Sequence, residues 1–289
     1  MNIKQTLQKG FEKLQKAGIP SARLDAEVIL SFVLGKPKEF LYTHSDAPLT
    51  NFQLLTFNFQ LARRARHYPV AYITKNKEFF NLNFYVDENV LIPRPETELL
   101  IEETLKLTQK WPDRALIRLA EIGTGSGCVT ISLAKNLTKI RICATDISSA
   151  ALKIAKRNAR RHKVLSKIKF YQGNLLEPIK NKKFDLIIAN LPYLDANLKN
   201  LLASCFSKSL KYEPQIALTA GKQGLDCFEL FFQQVKNLKH KPKYILLEIG
   251  SGQAKQVTSL AKRFLSNVQI QISKDLAGKN RVIKMSFAS

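Results

Sequence analysis

The sequence of 289 residues contains few of the residues that build disulfide frameworks and metal centres. Its four cysteines lie far apart and include no C-x-x-C pair, and its four histidines lack the spacing of metal ligands. Zinc sites and small disulfide-stabilised domains depend on such spacing. We therefore predict a protein with no disulfide and no bound metal.

Long hydrophobic runs are also absent. The apolar stretches are as short as strands, none approaches the roughly 20 residues that a membrane-spanning helix needs, and no hydrophobic stretch follows a basic N-terminus. We expect a soluble, cytoplasmic protein that is not exported and does not bind a membrane. With 45% hydrophobic residues, the chain can form one large domain or two smaller ones.

Acidic residues are scarce, because 23 Asp+Glu stand against 46 Lys+Arg and give a formal net charge of +23. A field of this size attracts polyanions at any exposed face. The same charge can arise from a lysine-rich composition, and a basic run such as residues 153–163 can be the solvated face of a helix. The charge alone therefore leaves open whether a polyanion is a partner.

The first 70 residues are predicted to be helical. Apolar residues at helical spacing predict three helices, at about residues 3–18, 21–35 and 50–66. Ser21 is a candidate cap for the second helix, and the third begins at Thr50. From Tyr72 to Val86, aromatic and β-branched residues flank a polar centre, as in a β-hairpin. We assign residues 1–70 to a small helical domain, 71–94 to a hairpin linker and 95–289 to a larger domain.

The larger domain alternates between strand and helix patterns. After a helix that begins at Pro95, strand-like segments occur at residues 116–122, 139–145, 167–172, 184–190, 244–249, 267–271 and 281–287. Helical stretches separate the first six, which predicts parallel pairing with helices on both faces. The last two are joined by KDLAGKN, which is too short for a helix, and should pair antiparallel. This α/β arrangement, a seven-stranded and mostly parallel sheet, resembles the Rossmann-like fold of S-adenosylmethionine-dependent methyltransferases.

Ligands of such a sheet bind at the carboxyl ends of its strands. The first strand ends in EIGTGSGC, whose candidate cofactor-binding residues are Gly123, Thr124, Gly125, Ser126 and Gly127. Cys128 stands where a dinucleotide-binding loop has glycine, which argues against a pyrophosphate ligand. The second strand ends in Asp146, whose carboxylate can accept both ribose hydroxyls of an adenosyl group or can cap the next helix. After the third strand, Asn174 and Leu175 are candidates for contact with adenine.

A second glycine-containing stretch, EIGSG at residues 248–252, also follows a strand. The strand after it, VQIQI, does not end in an acid, so this stretch has no ribose partner. We predict that it packs beside the site and is not a second cofactor loop.

The fourth strand ends in four residues that form a candidate substrate clamp: Asn190, Leu191, Pro192 and Tyr193. Asparagine at a strand end is also common turn chemistry. Here, however, its side-chain carbonyl and the Leu191 backbone carbonyl can each accept one N–H of a planar NH2 group. Tyr193 can pack on that group, Pro192 stiffens the turn, and Asn190 also lies beside the cofactor methyl group. Asn190, Pro192 and Tyr193 are the candidate catalytic residues, acting by alignment and hydrogen bonding, and no side chain stands out as a general base.

Asn-x-Pro-Tyr at this position is typical of methyltransferases that modify nitrogen in planar groups. Together with RLDAEVIL, VLIPRPETE (residues 90–98), EIGTGSG, YEPQIALTAGKQGLD and DLAGKNRVI, it makes the chain resemble the bacterial protein-(glutamine-N5) methyltransferases that act on peptide chain release factors. The resemblance implies methylation, by S-adenosylmethionine, of the glutamine in the Gly-Gly-Gln motif, with the helical domain docking the release factor. The chain departs from the family at Leu191, usually proline, at Asn174, usually aspartate, and at Leu175, where an aromatic residue is frequent.

Two alternatives remain. A DNA or rRNA methyltransferase acting on adenine N6 or guanine N2 would share the fold and the clamp, and the charge of +23 favours it. The sequence contains no recognisable target-recognition or RNA-binding module, so nucleic acid is not the favoured partner. The other alternative is a non-catalytic nucleic-acid-binding protein, against which the intact glycine loop, Asp146 and Asn190 argue.

Overall fold

The computed structural model describes residues 1–109, 111, 116–196 and 208–287. These residues form two compact units, one of residues 1–76 with 208–212 and one of residues 77–196 with 213–287. The three-part division at residues 70 and 94 stays a prediction.

The described part of the smaller unit contains the helices α1 (Ile3–Lys16), α2 (Ala22–Leu34), α3 (Lys38–Thr43), α4 (Asn51–Ala65) and α5 (Val70–Thr74). The predicted start at Thr50 is confirmed, because its hydroxyl accepts from the Gln53 N–H at 3.2 Å in a capping box. Ser21 makes no capping bond, and its hydroxyl donates instead to Asp25 Oδ2 at 2.9 Å. The sequence did not predict α3 and α5, since helices of six and five residues are too short to develop a period.

The predicted hairpin is shorter than expected. Part of its segment belongs to α5, and only β1 (Lys77–Phe79) and β2 (Leu82–Phe84) pair antiparallel. The residues between them, Phe80 and Asn81, have φ angles of 48° and 58°. Two successive positive φ angles are what a two-residue turn between twisted strands requires.

The larger unit contains the predicted seven-stranded sheet. Its strands are β3 (Ile117–Ile122), β4 (Ile140–Asp146), β5 (Ile168–Gln172), β6 (Leu186–Asn190), β7 (Tyr244–Glu248), β8 (Val268–Lys274) and β9 (Asn280–Phe287). They are arranged in the order β5-β4-β3-β6-β7-β9-β8. Strands β3 to β7 are parallel, while β9 runs antiparallel to both β7 and β8. The predicted fold class and the antiparallel pairing of the last two strands are confirmed.

Helices accompany the sheet: α6 (Glu98–Thr108), α7 (Cys128–Asn136), α8 (Ser149–Arg161), α9 (Asp226–Lys236) and α10 (Ala254–Phe264). Within the described ranges, no helix is long and apolar enough to cross a membrane. Over the same ranges, no group of three or more His, Cys, Asp or Glu residues could hold a metal ion.

Strand β6 is apolar on both sides because both faces of the sheet are covered. Leu186 and Ile188 belong to the apolar cluster on one face, whereas Ile187 and Ala189 belong to the cluster on the other. Such double burial is characteristic of parallel strands. Asn190, the last residue of β6, is the first in this strand to leave the apolar layers.

The order of the strands fixes where a ligand can bind. From β3 the chain moves outward to β4 and β5, and it then returns to place β6 on the other side of β3. The strand order reverses between β3 and β6, and ligands of open α/β sheets bind outside the carboxyl ends at such a point. Gly123 follows β3 there, and Asn190 ends β6.

Candidate active site

A cavity opens at the carboxyl ends of β3, β4 and β6. Eight residues predicted for the site line it: Gly123, Gly125, Asp146, Asn174, Leu175, Asn190, Leu191 and Pro192. The predicted residues Thr124, Ser126, Gly127 and Tyr193 are not among its lining residues. The structure thus brings most of the predicted constellation together at the switch point.

The glycine loop is held in place by two carboxylates. Buried Glu121, near the end of β3, accepts hydrogen bonds from the hydroxyls of Thr124, at 2.6 Å, and Thr130. Asp146 Oδ2 accepts from the Gly125 N–H at 2.8 Å. Gly125 has a φ of 54°, and a Cβ built on it would meet no atom of the described residues within 4 Å. A backbone bend with open space beside it fits the close approach of a ligand.

Three of the predicted loop residues support the loop from behind. The Thr124 side chain is buried against Glu121, and the Ser126 carbonyl accepts from Asn158 Nδ2 at 2.9 Å. A Cβ at Gly127 would lie 3.2 Å from the Cβ of Ala155, so this glycine permits close packing of the chain. Their roles in cofactor binding stay predictions.

Asp146 ends β4 and faces the cavity. Its Oδ1 accepts from the Ser148 N–H at 2.9 Å, while Ser148 itself caps α8 through a 3.1 Å bond from Ala151 N. Burial raises the pKa of Asp146, and the N–H groups of Ser148 and Gly125 act in the opposite direction. Each carboxylate oxygen still has a second lone pair for a ligand hydroxyl. The residue therefore fits the predicted contact with a ribose.

Asn174 and Leu175 lie on the cavity wall after β5. Asn174 is exposed, and Leu175 has a left-handed φ of 52°. Gln234 fixes this turn, because its Oε1 accepts from the Leu176 N–H at 2.7 Å. Both residues line the cavity, as their predicted position requires. Their contact with adenine stays a prediction.

The amide of Asn190 is held by a residue that the sequence did not predict. Its Nδ2 donates to the Thr97 hydroxyl at 3.0 Å, and Thr97 is only 3% exposed. Hydrogen-bond partners determine which end of an amide is oxygen and which is nitrogen. With Nδ2 engaged in this way, Oδ1 is the end of the amide that can accept hydrogen bonds, as the predicted clamp requires.

Tyr193, the last residue of the predicted clamp, is not among the residues that line the cavity. Burial raises the pKa of Tyr193 to about 12, and the charge of Glu248 adds to the effect, so the phenol stays protonated. The Tyr193 carbonyl accepts from Gln253 Nε2 at 2.9 Å. This bond links the clamp to Gln253, the residue that directly follows the EIGSG stretch.

Two buried glutamates at this end of the larger unit were not predicted as site residues, although Glu248 belongs to the stretch predicted to pack beside the site. Glu213 accepts from the Ile92 N–H at 3.1 Å and from the Arg94 guanidinium at 2.5 Å, which joins the segments IPRP and YEP. Glu248 pairs directly with Asn190 across β7 and β6. The only sequence signal for the Glu213 contacts is that IPRP and YEP both belong to motifs that carry the family resemblance.

Replacing Leu191 with proline should leave turnover within a few-fold of the wild-type value. The predicted clamp uses only the backbone carbonyl of this residue, and proline keeps that carbonyl while it loses its N–H. The Leu191 side chain is 2% exposed and packs in an apolar cluster, so the melting temperature should fall. Steady-state kinetics and thermal denaturation test both expectations. Loss of methylation in a folded variant would show that the side chain or the N–H is required.

The stability of the fold should decrease as pH rises from about 4.5 to about 7. Burial raises the pKa of Glu248 from 4.5 to about 7, so the folded state binds its proton more tightly than the unfolded state. Stability falls with pH wherever the folded state holds more protons. At roughly 1.4 kcal/mol per pKa unit, the effect is on the order of 3 kcal/mol. Denaturant titrations at pH 5 and pH 8 measure how much the free energy of unfolding falls between the two pH values. The fall should be smaller for Glu248→Gln than for the wild type, and an equal fall in both proteins would contradict the prediction.

Family models match both parts of the chain. The PrmC N-terminal domain matches residues 5–74, and the Methyltransferase small domain matches residues 97–248. A Bifunctional methyltransferase of Rickettsia conorii is 36% identical over 99% of this chain, which spans 58% of that protein's length. The chain thus covers little more than half of such relatives.

A second relative matches over nearly the whole length of both chains. The Release factor glutamine methyltransferase of Coxiella burnetii is 36% identical, and the match covers 98% of each chain. Among solved structures, the hMettl16 catalytic domain in complex with MAT2A 3'UTR hairpin 6 has a TM-score of 0.59 at 17% identity, over 76% of this chain and 81% of that one. At this identity the structural match supports the fold alone.

Proposed function

This chain belongs to the release factor glutamine methyltransferase family, and on that premise we propose that it methylates the glutamine of the Gly-Gly-Gln motif in a peptide chain release factor. The acceptor is the side-chain amide nitrogen, N5, and the methyl donor is S-adenosylmethionine. The observation that carries the proposal is the Asn190 amide: its Nδ2 donates to Thr97, and Asn190 lines a cavity together with Gly125 and Asp146.

The cofactor assignment rests on the fit of the cavity residues. Asp146 offers free lone pairs to the two ribose hydroxyls, and the open space beside Gly125 admits the amino acid part of the cofactor close to the backbone. Asn174 and Leu175 border the place assigned to adenine. When bound, S-adenosylmethionine supplies an electrophilic methyl group.

The residues of the clamp would act on the acceptor nitrogen by orienting it. Asn190 Oδ1 and the Leu191 carbonyl each accept one N–H of the glutamine amide, which aligns the nitrogen with the methyl group. The amide lone pair is delocalised, so these hydrogen bonds contribute most as the nitrogen becomes positively charged in the transition state. Methyl transfer would form the N–C bond as the donor's C–S bond breaks, and the proton released from the nitrogen would pass to solvent water, which leaves a neutral, methylated amide.

The protein substrate gives the small helical domain a role. A folded release factor presents more surface than its glutamine loop, and we assign its docking to residues 1–70. Such an interface adds affinity to the contacts of the loop.

The basic charge supports one alternative, amino-group methylation of DNA or rRNA. Helix α8 and the residue after His162 expose six basic side chains: Lys153, Lys156, Arg157, Arg160, Arg161 and Lys163. Phosphate contacts by such residues release counterions, so nucleic-acid binding would weaken steeply with salt. Methyl transfer to an amino group of a nucleobase would use the same clamp.

The test is transfer of a labelled methyl group to purified substrates. The full chain is incubated with intact release factor, with release factor whose Gly-Gly-Gln glutamine is replaced by asparagine, and separately with DNA and rRNA. We expect label only on the intact factor, and a mass shift of one methyl group on the peptide that contains the glutamine. Label on nucleic acid, with none on release factor at any salt concentration, would replace the proposal with the alternative.

A further inference from the structure

A buried carboxyl group lies behind the proposed clamp. Glu248 ends β7 directly opposite Asn190 and is 1% exposed. Its Oε2 has no hydrogen-bond partner in the described part of the chain. It does not line the cavity, so it would not touch a ligand there. A carboxyl group that is buried at a cost and has an unsatisfied oxygen requires an explanation.

The groups that influence the Glu248 carboxyl group include Thr97 and the clamp residue Asn190. Burial raises the pKa of Glu248 to about 7, whereas hydrogen bonding from Thr97 and from Asn190 lowers it. Arg281 also lowers this pKa and Glu96 raises it. Glu248 and Asn190 are register partners on neighbouring parallel strands, so their side chains project from the same face of the sheet, where the Asn190 amide is bonded to Thr97.

The chemistry of these groups fixes the direction of the bonds. A threonine hydroxyl has a single hydrogen and two lone pairs. Because the Thr97 hydroxyl accepts from Asn190 Nδ2, its own hydrogen remains available for donation to Glu248. Above its pKa of about 7 the Glu248 carboxylate only accepts hydrogen bonds, so in that state it favours the NH2 end of the Asn190 amide over the oxygen end.

The orientation of this amide decides whether the clamp works. If the amide turned by 180°, its NH2 group would face the cavity and would meet the N–H groups of an incoming amide. Two donors cannot form a hydrogen bond, so the flipped amide would lose the contact and repel the acceptor nitrogen. Packing alone does not select between the two ends, because oxygen and NH2 are similar in size.

We propose that Glu248 is a positioning residue for methyl transfer: together with the Thr97 hydroxyl, its carboxyl group holds the NH2 end of the Asn190 amide away from the cavity, so that Oδ1 faces the acceptor nitrogen. The inference rests on the proposed function, because it assigns a reason for the geometry of that clamp. It gives a role to the Glu248–Gly252 stretch, which resembles a cofactor loop in sequence.

Substitutions in the full-length chain test the proposal. Thr97→Val removes the hydroxyl at nearly constant shape, and Glu248→Gln replaces the carboxyl group with an amide that can present NH2 to Asn190. Each should lower kcat on release factor by about 10- to 100-fold, as misplacement of a reacting group does. The dissociation constant of S-adenosylmethionine, measured by calorimetry, should change less than about threefold. The double variant should be no slower than the slower single variant, because the two groups act as a unit.

Two further variants distinguish positioning from general damage to the fold. Thr97→Ser keeps the hydroxyl and should restore most of kcat. Thr258→Val is the matched control, because the Thr258 hydroxyl in α10 is buried without a hydrogen-bond partner in the described structure; its kcat should equal that of the wild type. A folded Glu248→Gln or Thr97→Val enzyme with kcat within twofold of the wild type would overturn the inference.

A readout without substrate separates this inference from the proposed function. The side-chain NH2 resonances of Asn190 can be assigned from their disappearance in Asn190→Asp. We expect contacts from these protons to Thr97 in nuclear Overhauser spectra and slowed exchange with solvent, both lost in Thr97→Val and kept in Thr97→Ser. Rapid exchange, or an NH2 group that does not contact Thr97, would refute the inference even if release factor is methylated. If the wild type does not methylate release factor, the proposed function fails, and the amide orientation is still decided by these spectra.

Discussion

Replacing Asn190 with alanine is expected to lower kcat by about a hundredfold to a thousandfold. The variant loses Oδ1, which would accept a hydrogen bond from the acceptor nitrogen, and losses of this size follow removal of one group that stabilises developing charge. It also leaves the Thr97 hydroxyl without the donor that it has in the wild type. The affinity for S-adenosylmethionine should fall much less, because the glycine loop and Asp146 supply most cofactor contacts in the proposed site.

The measurement is kcat at saturating cofactor, with calorimetry for the cofactor affinity. Asn136→Ala is the matched control: this exposed asparagine ends α7, and its side chain bonds only to the Ser132 carbonyl within the described residues. It should have wild-type kcat. If Asn190→Ala kept kcat within a few-fold of the wild type, the clamp would not be part of the reaction.

The sequence predicted the strands of the larger unit because their environment repeats along the chain. Strands β3, β6 and β7 are buried on both faces over almost their whole length, so a run of apolar residues identifies each of them. The site residues at the ends of the parallel strands were predicted for the same reason. Each apolar strand stops at or just before one of them, as at Gly123, Asp146 and Asn190. The topology of the sheet brings all three to its carboxyl edge.

The residues that support the site could not be found in this way. Thr97 and Asn190 are 93 positions apart, and nothing in either local pattern indicates that their side chains meet. The register that places Glu248 opposite Asn190 depends on how β6 and β7 pair. A local sequence pattern shows where a strand ends. Which strand ends meet depends on the order and register of the strands in the folded sheet.

The stretches EIGTG and EIGSG are nearly identical in sequence, but they have different surroundings in the fold. Glu121 and Glu248 are both buried, and burial raises the pKa values to about 8 and about 7. Glu121 accepts hydrogen bonds from Thr124 and Thr130 and so holds the loop in front of it. Glu248 has Thr97 and Asn190 beside it instead, at the clamp.

Replacing Asp146 with alanine is expected to weaken S-adenosylmethionine binding by about 1 to 3 kcal/mol, the usual effect of leaving buried polar partners unpaired. Part of the expected loss would come from the ribose hydroxyls, which lose their proposed acceptor. The other part comes from the protein, because the Gly125 and Ser148 N–H groups lose their acceptors and the glycine loop loses its tie to β4.

Two comparisons separate these contributions. Asp146→Asn keeps one acceptor oxygen of the same shape, so its cofactor affinity should lie between those of the wild type and Asp146→Ala. Asp46→Ala removes the same charge at an exposed position of the smaller unit and should not change the affinity. Calorimetry gives the affinities, and thermal denaturation without cofactor reports the loosening of the loop, which should lower the melting temperature of Asp146→Ala. Unchanged affinity for a folded Asp146→Ala protein would remove this carboxylate from the cofactor site and leave it only its role of tying the loop to the strand.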